Sequence, residues 1–174
     1  MLTRLIKPSA EYEASHVSYV AELRDLGEEF VPWVLAKAGD DFRAYLTYLE
    51  EQAQGIGLDP GFVPSSTFWL VDSAEDIVAV SNLRHALTES LLTFGGHIGF
   101  GVRPSARRQG YATETLRRTL IEARTLGIED VLVTCDRSNI ASANAILRNG
   151  GEYSGEDYVE AHSSIVQRYW IRGR

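Results

Sequence analysis

The chain has 174 residues, of which 44% are hydrophobic, with one cysteine and a formal net charge of −7. That length holds one compact core without demanding two independent domains, so a single domain over residues 1–174 is expected. One cysteine excludes an intramolecular disulfide framework and a multi-cysteine metal site, and no apolar run is long enough for a signal-peptide core or a membrane span; a cytoplasmic protein with no membrane partner is expected.

In chain order, residues 2–6 read as a first strand, and Pro8-Ser9-Ala10-Glu11 starts a helix that runs to about Asp25. The apolar series Val31, Val34, Leu35 and Ala38, then Phe42, Tyr45, Leu46 and Leu49, predicts helix over residues 32–54 with a break near Gly39. Residues 55–66 carry Gly55, Gly57, Pro60, Gly61 and Pro64 and read as a loop over the site. Strands are expected at 67–72 and 76–87, joined by the turn Ser73-Ala74-Glu75, and again at 96–103. A helix at 111–126 keeps Ala112, Leu116, Leu120 and Ala123 on one face and stops at Gly127. After a buried strand at 131–135, the polar turn Asp136-Arg137-Ser138-Asn139 leads into a helix to Asn149, and strands at 151–156 and 164–171 complete the chain.

The junction between strand 96–103 and the helix after it holds Arg107-Arg108-Gln109-Gly110-Tyr111-Ala112, with Thr113 beside it. The first amides of a helix lack intrahelical partners and lie at the positive end of its dipole, so a strand, a small-residue loop and a helix start together make an anion site. Gly110 lets backbone approach a phosphate, and Ala112 stays small.

This strand, phosphate-type loop, helix, strand and Asn-led helix, in that order, resembles the Gcn5-related N-acetyltransferases over roughly residues 67–171. Asn82-Leu83-Arg84-His85, Gly95-Gly96-His97-Ile98-Gly99, Val133-Thr134-Cys135-Asp136, Asn149-Gly150-Gly151 and Arg168-Tyr169-Trp170-Ile171 look like phrases of a poorly characterised branch of it. The resemblance implies an α+β (α/β) fold: a mostly antiparallel, mixed central sheet of six to seven strands with helices on both faces, helices 9–54 on the acceptor side. It implies acetyl-CoA as cosubstrate, with the pyrophosphate held by Arg107, Arg108, Gln109, Gly110, Tyr111, Ala112 and Thr113. The pantetheine arm would pair with the backbone of Phe100, Gly101 and Val102, and its far end would meet Asn139 and Ser142. The implied reaction is acetyl transfer to a primary amine by direct attack.

One position departs from the resemblance. Many members carry a tyrosine seven residues beyond the motif asparagine, where it protonates the departing thiolate; here that residue is Ile146, and no tyrosine lies between Asp136 and Glu152. Ile146 fits the apolar face of its helix with Ala143 and Leu147. The acid must come from elsewhere, or the thiolate leaves with help from water. Candidate bases for the amine are His85, Glu89 and His97, with His85 first because Asn82, Arg84 and His85 make a polar group at the end of an apolar strand. His16 and His162 read as structural, Cys135 as packing, and no His-x-x-x-His or Cys-x-x-Cys spacing suggests a metal.

Residues 11–59 hold eleven acids against three bases, a net of −8. The plain account is the solvated face of amphipathic helices; the functional one is an acidic vestibule for a cationic amine. The acidic balance argues against nucleic acid, while Arg103, Arg107, Arg108, Arg117 and Arg118 form one basic cluster that the phosphates of CoA explain. The expected partners are thus a small-molecule or peptide amine, cationic in the functional account, and a second copy in a homodimer. The rival reading is an acyl-CoA-binding module without turnover.

Overall fold

The structure, a computed structural model, describes residues 2–173. Strands β1 (Arg4–Ile6), β2 (Ser65–Val71), β3 (Ile77–Arg84) and β4 (Ile98–Val102) form one antiparallel sheet in that order. Strands β5 (Val131–Asp136), β6 (Gly151–Val159) and β7 (Ser164–Ile171) form a second, in the order β5-β7-β6, again antiparallel. The expected mixed α+β fold with seven strands is present, divided into two sheets that meet where β4 lies beside β5.

Strand alternation decides which face each helix covers. On β2, Trp69 and Val71 pack against Tyr19, Leu23, Phe42, Tyr45 and Leu49 from α1 (Glu13–Asp25) and α2 (Phe42–Gln54). Phe68 points the other way and joins Leu83 and Ile98 in a cluster with Leu116 and Leu120 of α4 (Tyr111–Thr125) and Ile146 of α5 (Ile140–Arg148). Val131, Val133 and Tyr169 of the second sheet enter that same cluster, so α4 and α5 bind both sheets from one side.

Three local differences from the sequence reading have physical causes. Helix 32–54 is two pieces, a 3-10 turn at Trp33–Lys37 and α2, because the Asp41 carboxylate accepts from Ala44 N–H at 3.0 Å and starts the second piece afresh. The first turn of helix 8–25 is likewise 3-10, Ala10–Tyr12, entered through Ser9. A short helix α3 (Glu89–Thr93), unread in the sequence, is capped by Thr88 and is too short to show a period.

His16 sits in the α1/α2 cluster at 1% exposure, with ring centroids 4.9 Å from Tyr45, 5.2 Å from Trp69 and 5.3 Å from Phe42. Burial pushes its pKa down to about 4, so the folded chain keeps it neutral where an unfolded imidazole, near 6.5, takes up a proton. The unfolded state then binds more protons below pH 6.5, and stability falls as pH drops from 6.5 to 4, by at most about 1.4 kcal/mol per pH unit for this group. Thermal unfolding should show a falling Tm across that window and a shallower fall in His16→Phe. Parallel profiles for the two proteins would remove His16 from the account.

Candidate active site

The chain leaves β4 at Val102, makes a 3-10 turn at Pro104–Ala106 and enters α4 through two left-handed residues, Arg108 at φ 63° and Gly110 at φ 85°. Gly110 is the N-cap and no side chain caps the helix, so the leading amides of α4 are left for a ligand. Tyr111 anchors the loop: its ring is buried with Leu70, Val78 and Ala106, so what it offers an anion is its backbone. Asn149, at the end of α5, donates from Nδ2 to Thr113 O at 3.1 Å and to Ala145 O at 2.8 Å, tying α5 to the first turn of α4.

The basic cluster is not free charge. Arg103 pairs with Glu22 at 2.6 Å, Arg107 makes a two-pronged pair with Glu28, and Arg117 and Arg118 both hold Glu114, whose pKa they pull down to about 2. Of its five arginines only Arg108 lacks a carboxylate partner among the described residues. The expectation that CoA phosphates account for the whole cluster is corrected accordingly, and the acidic segment has two carboxylates, Glu22 and Glu28, committed to the loop. What this helix start can offer an anion is therefore first its amides and the helix dipole. Since Glu28 neutralises Arg107, Glu28→Gln should tighten CoA binding by about 2- to 5-fold at low salt, an effect that fades as salt screens the loop; calorimetry at two ionic strengths measures it, and weaker binding would refute it.

Beside the loop the two sheets part. His97 N–H donates to Leu132 O at 2.7 Å, and Leu132 N–H donates to His97 Nδ1 at 3.0 Å. This clasp just before β4 is joined by Gly95 N–H, which donates to Thr134 Oγ1 at 3.0 Å; beyond it β4 pairs with β3 alone and its other edge is unpaired. Gly96, at φ 57°, is required at the clasp, because a Cβ there would press on the Leu132 carbonyl. Phe100 and Val102 turn into the α4-side core, whereas Gly99 and Gly101 lie under Pro32 and Val31. An open strand edge leading to an uncapped helix start suits an extended arm that ends in phosphates.

Residues 5–152 match the model of the acetyltransferase (GNAT) domain. The chain is a Gcn5-related N-acetyltransferase. A search of curated proteins finds no match. Among solved structures, the ribosomal L7/L12 α-N-protein acetyltransferase in complex with coenzyme A superposes at a TM-score of 0.71 with 16% identity, covering 98% of this chain and 94% of that one. The Salmonella typhimurium protein yncA, solved with its cofactor acetyl-CoA, gives 0.64 at 11% identity over 98% and 93%. Dodecameric spermidine N-acetyltransferase from Vibrio cholerae gives 0.64 at 11% over 98% and 93%.

As a GNAT acetyltransferase the chain uses acetyl-CoA, and the uncapped α4 start and open β4 edge fit that cosubstrate. The candidate bases are scattered. His85 follows β3; its Nε2 lies 2.8 Å from Ser66 Oγ, and burial holds its pKa below the ordinary value. On β2, Ser66 shares a face with Phe68, which turns this pair toward the α4 side, opposite Asn82 and Arg84. Glu89 is exposed in the first turn of α3. His97 plugs the clasp: burial and the nearby Arg84 charge push it down to about 4, and accepting from Leu132 N–H through Nδ1 leaves the proton on Nε2, a donor. No hydrogen bond joins the three. Asn139 caps α5, its Oδ1 accepting from Ser142 N–H at 3.0 Å, with half-buried Ser142 one turn in. Ile146 is fully buried against Gly151. The sequence reading counted Glu22 and Glu28 in the acidic vestibule and missed their pairing with Arg103 and Arg107, because pairs more than seventy residues apart leave no local signal.

Proposed function

We propose that this acetyltransferase moves the acetyl group of acetyl-CoA to a primary amine by direct attack. The observation that carries the reading is the α4 start, open and uncapped, set beside the unpaired edge of β4. Acetyl-CoA supplies an acyl group on a thioester; the chain holds the pyrophosphate at the amides of Tyr111, Ala112 and Thr113 and the arm along Phe100, Gly101 and Val102. Asn139 and Ser142, at the head of α5, would meet its far end. Amine acceptors are supported by the activities for which the similar structures are named, on an α-amino group of a ribosomal protein and on spermidine. With His97 a donor, His85 turned to the other face and Glu89 exposed on α3, the amine loses its proton to water, so kcat/KM should rise with pH through the acceptor's own pKa. The buried free Cys135 supports a cytoplasmic location.

CoA thiol release with a panel of primary amines tests the proposal. Acceptor-dependent release, with the acetylated amine seen by mass spectrometry, supports it. Tight CoA binding without release under any amine would make the chain a binding module instead.

A further inference from the structure

Two polar groups on one face of β3 have unmet demands of opposite kind. Asn82 has no exposure; its Nδ2 donates to Ser65 Oγ at 3.1 Å and Thr67 Oγ1 at 3.2 Å, and its Oδ1, also buried, has no partner. An unmatched buried acceptor is destabilising, so a group at this position gains by meeting a donor. Two residues on, Arg84 shares the face. Its Nη1 donates to Gly95 O at 3.0 Å and Gly96 O at 3.1 Å, and no carboxylate among the described residues reaches it. The other arginines without a carboxylate partner among the described residues, Arg24, Arg43, Arg108, Arg124 and Arg148, are all exposed, whereas Arg84 is largely withdrawn from water. Two carbonyls leave its net charge uncompensated, and a guanidinium fork is suited to bind a planar oxyanion in two places.

The place of the pair in the fold gives it a use. Asn82 stands opposite Gly99 of β4, and it is Pro32, 3.5 Å from where a Gly99 Cβ would stand, that covers this place. Gly95 and Gly96, which Arg84 holds, form the approach to the β4–β5 clasp. The row is therefore on the acceptor side of the open β4 edge, under Val31 and Pro32, and about 6–7 Å separates the two positions along the strand.

We propose that Asn82 and Arg84 select the acceptor, and that the acceptor carries a carboxylate close to its amine, as an amino acid does. The carboxylate docks on the Arg84 fork, and, as residues 31–32 draw back from the buried Asn82, the amine N–H meets Asn82 Oδ1, which fixes the nitrogen next to the β4 edge. This rests on the amine-acetylation reading above and reverses the charge that the acidic helices suggested, two of whose carboxylates are bound to the loop. Arg84 and Asn82 act here in binding and orientation; neither takes the proton.

The experiment compares kcat/KM for free L-amino acids with their carboxamides and with spermidine, in the unaltered protein and in Arg84→Met, Arg84→Lys and Asn82→Leu. The expected result is a preference of more than 10-fold for the acid over its amide, lost in Arg84→Met and only partly kept in Arg84→Lys, which has the charge without the fork. Asn82→Leu should raise KM for every acceptor, and CoA affinity by calorimetry reports whether each variant is folded. Equal or better turnover of amides or spermidine in the unaltered protein overturns the selection by Arg84 while leaving amine acetylation intact. Failure of every amine, charged or neutral, overturns both.

Discussion

Gly110→Val should weaken acetyl-CoA binding by at least about 10-fold while the protein stays folded. Gly110 is the N-cap of α4 at φ 85°, a left-handed conformation that a β-branched side chain resists, at a cost of roughly 1–2 kcal/mol. The loop on either side cannot absorb the change freely, since Tyr111 is buried in the core and Arg107 is bound to Glu28. The strain therefore falls on the amides of residues 110–113, which in the proposed binding mode converge on the pyrophosphate, and a Cβ at 110 would crowd the phosphates in that mode. Calorimetry with acetyl-CoA reads the affinity, and circular dichroism with a thermal melt reads the fold. A folded variant with unchanged affinity would show that the pyrophosphate lies elsewhere.

How much of this site the sequence revealed follows from the range of the interactions. The loop of residues 107–113 was legible because its signal is local: a strand period ends, small residues intervene and a helix period begins within fifteen residues. Asn139 was legible for the same reason, as the N-cap of α5. The face on which a residue stands was harder. His85 lies just past the regular part of β3, where alternation is no longer a guide, and only its contact with Ser66 shows which way it turns. The role of His97 depends on Leu132, thirty-five residues on, and on the parting of two sheets that a count of strands does not reveal. The charge of the acidic segment was countable, yet its meaning was not, because Glu22 and Glu28 meet their arginines only in the folded chain.

Ile146→Tyr should destabilise the protein and bring no gain in turnover. Ile146 has no exposure and packs in the cluster that holds Cys135, Ala143 and Tyr169, where α5 meets both sheets. Gly151 leaves it room: a Cβ on Gly151 would stand 2.5 Å from Ile146 Cγ2, so the isoleucine already fills the space the glycine vacates. A phenol is larger than that space, and overpacking of a well-filled core costs about 1–3 kcal/mol. Its hydroxyl would enter an apolar cluster, where an unpaired group adds a further cost of about 1–3 kcal/mol. The nearest buried phenol, Tyr169, spends its own hydroxyl on Gln167 Oε1 at 2.8 Å, which shows what a tyrosine in this cluster requires. For a chain of this length the loss corresponds to a Tm lower by more than about 5 °C, measurable by thermal melt, with kcat at a permissive temperature no higher than that of the unaltered protein. A variant of unchanged Tm whose kcat rises by an order of magnitude would mean that position 146 does reach the departing thiolate, and that the packing around Gly151 yields to admit an acid there.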